Sequence, residues 1–167
     1  MRNTWYDIFF YMICLIMVFS CSEEKKIEEL LQGFMRKKIY LPETLEMVYE
    51  HQIKKVAINA DYANLVIYFD STECSKCIIN KLFIYDKLYE YEVNSNKFNI
   101  LMIFSPRDEE YDAVVTELMV ADYLYPIYID YRGEFSKHNT SIPTDRRFHS
   151  FLLDKDGHPV FVGNPVS

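Results

Sequence analysis

Two apolar patterns alternate along the chain, and they predict alternating strands and helices. The apolar runs Leu65–Asp70 and Phe98–Phe104 have the length of buried strands, and the second suits a strand covered on both faces. After Cys77, apolar residues recur at helical spacing to about Tyr91, before an Asn-Ser-Asn break at 94–96. Another helical pattern follows Ser105, with four residues expected to face inward: Tyr111, Val114, Val115 and Leu118.

Shorter segments complete the predicted sheet. Leu45–Tyr49 and Lys55–Ile58 are candidate strands, and Pro126–Asp130 is the next strand in the chain. An Asp-Gly turn between 151–154 and 159–162 predicts a hairpin. Because helices separate the central strands, those strands should be parallel, and the hairpin adds antiparallel pairing. The predicted fold is therefore α/β, with a mixed sheet flanked by helices.

The N-terminal 38 residues are predicted to lie outside this domain. Residues 1–20 read as a signal peptide, since the apolar run Ile8–Ser20 is shorter than the ~20 residues of a spanning helix. Residues 21–38 read as a tether or N-terminal helix, because five apolar positions share one helical face: Ile27, Leu30, Leu31, Phe34 and Met35. The domain itself is assigned to residues 39–167.

Composition excludes several classes of protein. The net charge of −7 and the lack of a basic stripe argue against a nucleic-acid partner. Half of the residues are hydrophobic, which argues against a disordered chain. Four cysteines, at 14, 21, 74 and 77, do not form the pattern of a miniprotein held by several disulfides.

Cys74 and Cys77 follow the central strand and begin a predicted helix. Unpaired N–H groups and partial positive charge at a helix start stabilise the thiolate, the reactive form of cysteine. The pair is therefore predicted to be a thiol–disulfide redox centre, with Cys74 as nucleophile and Cys77 as resolving thiol. The neighbouring charges oppose each other, since Lys76 should favour the thiolate and Glu73 should disfavour it.

Two other interpretations of the cysteine pair stay open. It could be a structural disulfide without turnover, or half of a zinc site. No second cysteine pair exists and the four histidines are scattered, so neither a metal nor another cofactor is expected. His149 is interpreted as a loop histidine before the last hairpin. Asp130 and Asp154, at strand ends, are interpreted as turn-forming residues.

Residues Val18-Phe19-Ser20-Cys21 resemble the lipobox of bacterial lipoproteins. That resemblance implies that Cys21 is lipidated and becomes the first residue of the mature chain, anchored in a lipid bilayer. An uncleaved N-terminal anchor is the alternative. Either way the domain is expected to face an extracytoplasmic space of the cell envelope, where disulfides persist.

Three segments together resemble the thioredoxin-like superfamily, and within it the TlpA-like lipoproteins of Bacteroidetes. They are the strand with its Cys-x-x-Cys at 65–82, the strand at 126–130, and the final hairpin at 151–165. The resemblance implies a thioredoxin-like fold. It also implies an envelope-anchored thiol–disulfide oxidoreductase that acts on protein thiols or disulfides.

The chain departs from that family in several places. Glu73 and Lys76 occupy positions where active members usually carry Trp and often Pro, and Phe148 aligns with the cis-proline. The buried carboxylate of thioredoxin would fall near Tyr68. The family normally closes with a helix after the hairpin, and that helix would lie beyond Ser167, so we expect it to be missing. Either the sequence is truncated, or the last face of the sheet is bare. These departures favour the alternative function, a non-catalytic thioredoxin-fold binding lipoprotein with a structural Cys74–Cys77 disulfide.

Overall fold

The computed structural model describes residues 24–60, 62–121 and 123–166. The chain divides into two units after Gly33. In the first unit, the described residues 24–33 form a helix, α1, which continues to residue 35 in the second unit. The helical spacing read from the sequence is thus confirmed here. The predicted signal peptide and Cys21 lie outside the described residues.

The second unit contains a seven-stranded mixed sheet. Its strands are β1 (Thr44–Tyr49), β2 (Gln52–Ala57), β3 (Asn64–Phe69), β4 (Asn99–Phe104), β5 (Ile127–Ile129), β6 (Ser150–Leu153) and β7 (Pro159–Val162), in the order β2-β1-β5-β4-β3-β6-β7. Strands β3, β4 and β5 are mutually parallel, and every other pairing is antiparallel. The predicted mixed sheet with parallel central strands and a terminal hairpin is confirmed.

Four helices lie in the connections: α2 (Ser75–Ile79), α3 (Asp86–Ser95), α4 (Tyr111–Ala121) and α5 (Glu134–His138). Short 3-10 helices occupy Leu82–Tyr85, Asp108–Glu110 and Arg146–Phe148. The described residues after β7, 163–166, contain no helix.

Strands β3 and β4 are covered on both faces, as their apolar runs predict. Successive side chains of a strand point to opposite faces. Leu65 and Ile67 of β3 pack with residues of α2, α3 and α4, whereas Val66 and Tyr68 pack against the other face with Phe34 and Phe135. Both layers of the core are therefore organised by the same two strands.

The sequence predicts one continuous helix after the dithiol, and this prediction is wrong. The helix ends at Ile79 and resumes only at α3. Two tyrosine hydroxyls from the loop before β5 donate to carbonyls at the break: Tyr123 to that of Ile79 and Tyr125 to that of Leu82 at 2.8 Å. These bonds satisfy backbone groups that a continuous helix would satisfy internally.

Helix α5 is not predicted from the sequence, because it spans only five residues. The carboxylate of Asp130 is buried and accepts the backbone N–H groups of Glu134 at 3.0 Å and Phe135 at 2.9 Å. Asp154 accepts two backbone N–H groups in the final hairpin, from Asp156 and His158. Both aspartates therefore form turns, as predicted, and Asp130 also satisfies N–H groups at the start of α5.

The two outermost strands differ in character. Strand β2 is exposed along most of its length and carries Lys54 and Lys55 near its centre. Strand β7 presents Val160 and Phe161, both about half exposed.

We predict that the folded protein loses stability as the pH rises above about 10, the pKa of tyrosine in an unfolded chain. Burial raises the pKa of seven tyrosines in the folded state, and the pKa of Tyr111, which donates to Glu46 at 2.6 Å, rises to about 12. A raised folded-state pKa stabilises the fold fully below pH 10, and this contribution is lost as the pH rises towards the folded-state values. The seven residues are Tyr68, Tyr85, Tyr89, Tyr111, Tyr123, Tyr125 and Tyr128.

Urea unfolding at pH 8 and at pH 10.5, together with tyrosinate absorbance, tests this prediction. Tyr111→Phe should shrink the difference in unfolding free energy between pH 8 and pH 10.5, because it removes one titrating group. If all tyrosines of the folded protein titrate near pH 10, the prediction is wrong.

Candidate functional site

The two cysteines lie at the carboxyl edge of the parallel strands. Residues 70–73 form a turn directly after β3, and Cys74 caps the start of α2. From β3 the chain crosses to β4 on one side, while β6 pairs with the other side. In open α/β sheets, ligands bind outside the carboxyl ends of the parallel strands. The dithiol therefore occupies the edge of the sheet where chemistry is expected.

Cys74 and Cys77 are joined by a disulfide, with a Cα–Cα distance of 5.3 Å. Both residues are exposed, and the backbone N–H of Cys77 donates to Sγ of Cys74 at 3.3 Å. The structure thus brings the two predicted sulfurs together and leaves them accessible to solvent. That accessibility is what thiol–disulfide exchange requires.

The turn before Cys74 is held by Asp70. One carboxylate oxygen, Oδ1, accepts the backbone N–H of Thr72 at 2.7 Å and its hydroxyl at 2.5 Å. The backbone carbonyl of Asp70 accepts the N–H of Glu73 at 3.2 Å. This local pattern is typical of an aspartate that starts a turn, and it fixes the chain immediately before the first cysteine.

The charged side chains near the dithiol differ in how strongly solvent screens their charges. Lys76 is 74% exposed and forms an ion pair with Glu117 at 3.8 Å, so its charge is compensated and screened by solvent. Glu73 is half-buried, and burial, with a further contribution from Asp70, raises the pKa of its carboxyl above the usual value. Of the two opposing charges that the sequence predicts, Glu73 is therefore the less screened.

A cavity of about 770 Å³ opens beside Cys74, between α2 and α4. Its wall includes Ile79 and Val114 as apolar surface and Arg107 and Glu110 as an ion pair. The cavity is large enough to receive side chains of a substrate next to Cys74.

A second cavity, of about 420 Å³, lies on the other side of Glu73. Its lining includes Arg146, Tyr85 and His149. Glu73 lines both cavities and so separates the dithiol from the segment that leads into β6.

His149 precedes β6, as predicted, and it is only 4% exposed. Its Nε2 lies 2.9 Å from the carbonyl oxygen of Pro143, and its ring packs against Tyr68. Phe148 ends a 3-10 helix, and all peptide bonds of the described residues are trans.

Sequence reasoning missed the proximity of His149 and Asp70. The β3–β6 pairing places Tyr68 opposite His149, and the N–H of Tyr68 donates to the carbonyl of His149 at 2.9 Å. Asp70 lies two residues beyond Tyr68, and its Oδ2 is 3.9 Å from Nδ1 of His149. No local sequence signal marks this contact, because the register between β3 and β6 creates it.

Within residues 24–60, 62–121 and 123–166, no group of three His, Cys, Asp or Glu side chains is placed to hold a metal ion. In those same ranges, no helix has both the length and the apolar character needed to span a bilayer.

We predict that Glu73→Gln raises the reactivity of reduced Cys74 more than Lys76→Gln lowers it. Removing a half-buried negative charge should increase the thiolate fraction at pH 7 by about threefold, whereas the exposed Lys76 is already paired with Glu117. Alkylation of Cys74 by iodoacetamide, followed across pH by mass spectrometry of its peptide, measures both effects. Equal and opposite changes in the two variants would contradict the prediction.

Comparison with known proteins finds similar solved structures but no matching family model or curated protein. A solved structure of AhpC from Enterococcus faecalis has a TM-score of 0.48 and 10% identity, covering 80% of this chain and 86% of that one. A thioredoxin-like protein from Porphyromonas gingivalis has a TM-score of 0.46 and 18% identity, covering 78% and 83%.

A third structure is the thioredoxin domain of a thiol-disulfide oxidoreductase from Bacteroides vulgatus, with a TM-score of 0.44 and 15% identity, covering 78% of this chain and 90% of that one. This chain's own structure has the central strand order β4-β3-β6-β7, with a parallel crossover, an antiparallel hairpin and a dithiol after β3. This protein thus has the thioredoxin-like fold that the sequence resemblance implies.

Proposed function

We propose that this protein is a thiol–disulfide oxidoreductase of the cell envelope, anchored by lipid on Cys21 and acting on protein thiols or disulfides. The observation that carries the proposal is the exposed Cys74–Cys77 disulfide beside a cavity of about 770 Å³. A disulfide that served only to hold the fold would gain nothing from this exposure, whereas exchange needs an approach path to sulfur.

In the reducing direction, the Cys74 thiolate attacks one sulfur of a substrate disulfide. A bond forms between Cys74 and that sulfur, the substrate S–S bond breaks, and the departing sulfur takes up a proton. The Cys77 thiol then loses its proton and attacks Sγ of Cys74, releasing the second substrate sulfur as a thiol. Two electrons pass to the substrate, and a dithiol donor restores the reduced pair.

The positions of the two sulfurs support this division of roles. Cys74 lines the cavity and caps α2, whereas Cys77 lies one turn further along the helix and does not line it. A substrate seated in the cavity would therefore meet Cys74 first. The resemblance to TlpA-like lipoproteins favours the reducing direction.

A trapping experiment tests the exchange reaction. Full-length Cys77→Ser, which keeps Cys74 but lacks the resolving thiol, should accumulate mixed disulfides with envelope proteins. Cys74→Ser should accumulate far fewer, and wild-type protein should reduce insulin while both variants do not. Absence of both trapped partners and insulin reduction would instead support the non-catalytic binding module with a structural disulfide.

Anchoring is tested separately by the intact mass of the protein extracted from membranes. We expect a chain that begins at Cys21 and carries acyl groups, and we expect Cys21→Ser to keep its leader and its unmodified mass. A wild-type mass equal to that of the full unmodified chain would rule out lipid anchoring and leave the exchange reaction unaffected.

A further inference from the structure

His149 is a buried imidazole whose orientation is set by one hydrogen bond. Its Nε2 lies 2.9 Å from the carbonyl oxygen of Pro143. A carbonyl can only accept, so the ring proton lies on Nε2, and in the neutral ring Nδ1 carries a lone pair. This nitrogen is buried and has no hydrogen-bond partner. A buried polar atom without a partner is costly, which makes its surroundings informative.

A carboxylate oxygen close to this nitrogen belongs to the turn before the dithiol. Oδ2 of Asp70 lies 3.9 Å from Nδ1, while Oδ1 of the same carboxylate is already occupied by Thr72. With a neutral ring, a lone pair faces a carboxylate oxygen and no bond forms. With a protonated ring, a donor faces that oxygen, and a small movement closes a charge-assisted hydrogen bond.

We propose that His149 is a positioning residue for the redox reaction: when protonated on Nδ1, it binds Asp70, holds the 70–73 turn in place and favours the Cys74 thiolate. The inference rests on the proposed function. It gives this chain a proton-dependent control of its dithiol, through an imidazole rather than through a carboxylate at the position of Tyr68.

The charged and titratable groups around His149 come from every element that packs there. They are Tyr68 on β3, Asp70 and Glu73 in the turn, Tyr85 after α2, and Asp145, Arg146 and Arg147 before β6. Arg147 is neutralised by its ion pair with Asp145. Burial and Asp70 raise the pKa of the Glu73 carboxyl, whereas His149 and Arg146 lower it. The positive charge of a protonated His149 is therefore felt at the residue next to Cys74.

A coupling between protonation and reduction follows. When reduction leaves Cys74 as a thiolate and Cys77 as a thiol, the disulfide takes up two electrons and one proton, and the pair gains one negative charge. A negative charge appearing beside the turn favours a proton on Nδ1, and a proton on Nδ1 favours that negative charge. The reduced protein should therefore bind this proton more tightly than the oxidised protein does.

The test is the pH profile of Cys74 alkylation in the reduced full-length protein, read by mass spectrometry of its peptide. We expect His149→Gln to lower the alkylation rate about three- to tenfold at pH 6 and to leave it unchanged at pH 9. His138→Gln is the matched control, since His138 is exposed on α5. It should reproduce the wild-type profile.

Asp70→Asn provides a second route that disturbs the core less, because Asp70 lies nearer the surface. Because this change also removes a negative charge near Cys74, the readout is the coupling between the two residues: adding His149→Gln to Asp70→Asn should change the rate at pH 6 by less than half of its effect alone. A purely structural role for His149 would lower the melting temperature at every pH and leave the shape of the alkylation profile intact. That outcome would overturn the inference.

Equilibration with glutathione buffers separates this inference from the proposed function. If the wild-type dithiol exchanges with glutathione but all variants share one pH profile, the inference is wrong and the function stands. If the profile changes as expected but neither wild type nor variants exchange with glutathione, the redox function fails while the contact between His149 and Asp70 is retained.

Discussion

Burial of both faces of β3 and β4 is the constraint on which the structure depends. Their side chains alternate between two core layers, so a shift of one residue would exchange every apolar contact on both sides. This fixes where β3 ends, and hence where the turn and the dithiol begin. The same constraint fixes the β3–β6 register that places His149 opposite Tyr68. The site inherits its geometry from the packing of the sheet.

The influence of each charged group near the dithiol depends on how deeply the group is buried. Exposed cations and anions pair with each other, as Lys76 does with Glu117, and solvent weakens what remains of their fields. Half-buried groups keep their influence, and these are Asp70 and Glu73, with His149 behind them. The formal charges in the sequence give Lys76 and Glu73 equal weight, whereas their different burial makes Glu73 the more effective of the two.

Local patterns in the sequence were sufficient for the central strands, the helical faces and the dithiol, because each depends on neighbouring residues. The helix break after Ile79 was not predictable in this way, since tyrosines more than forty positions away supply its hydrogen bonds. The Asp70–His149 contact depends on strand register, and α5 depends on a buried aspartate that caps so short a helix. The helix break and the Asp70–His149 contact thus escaped prediction because distant partners hold them, whereas α5 escaped it because the helix spans only five residues.

The unlike edges of the sheet have a consequence for self-association. Lysines in the middle of β2 would have to approach the lysines of any second copy, and dehydrating them beside a growing sheet is unfavourable. Strand β7 has no such charges, and its Val160 and Phe161 offer apolar area at the opposite edge. Strand β7 nevertheless begins at Pro159, which has no backbone N–H to offer a further strand, so each edge of the sheet carries a feature that disfavours strand addition.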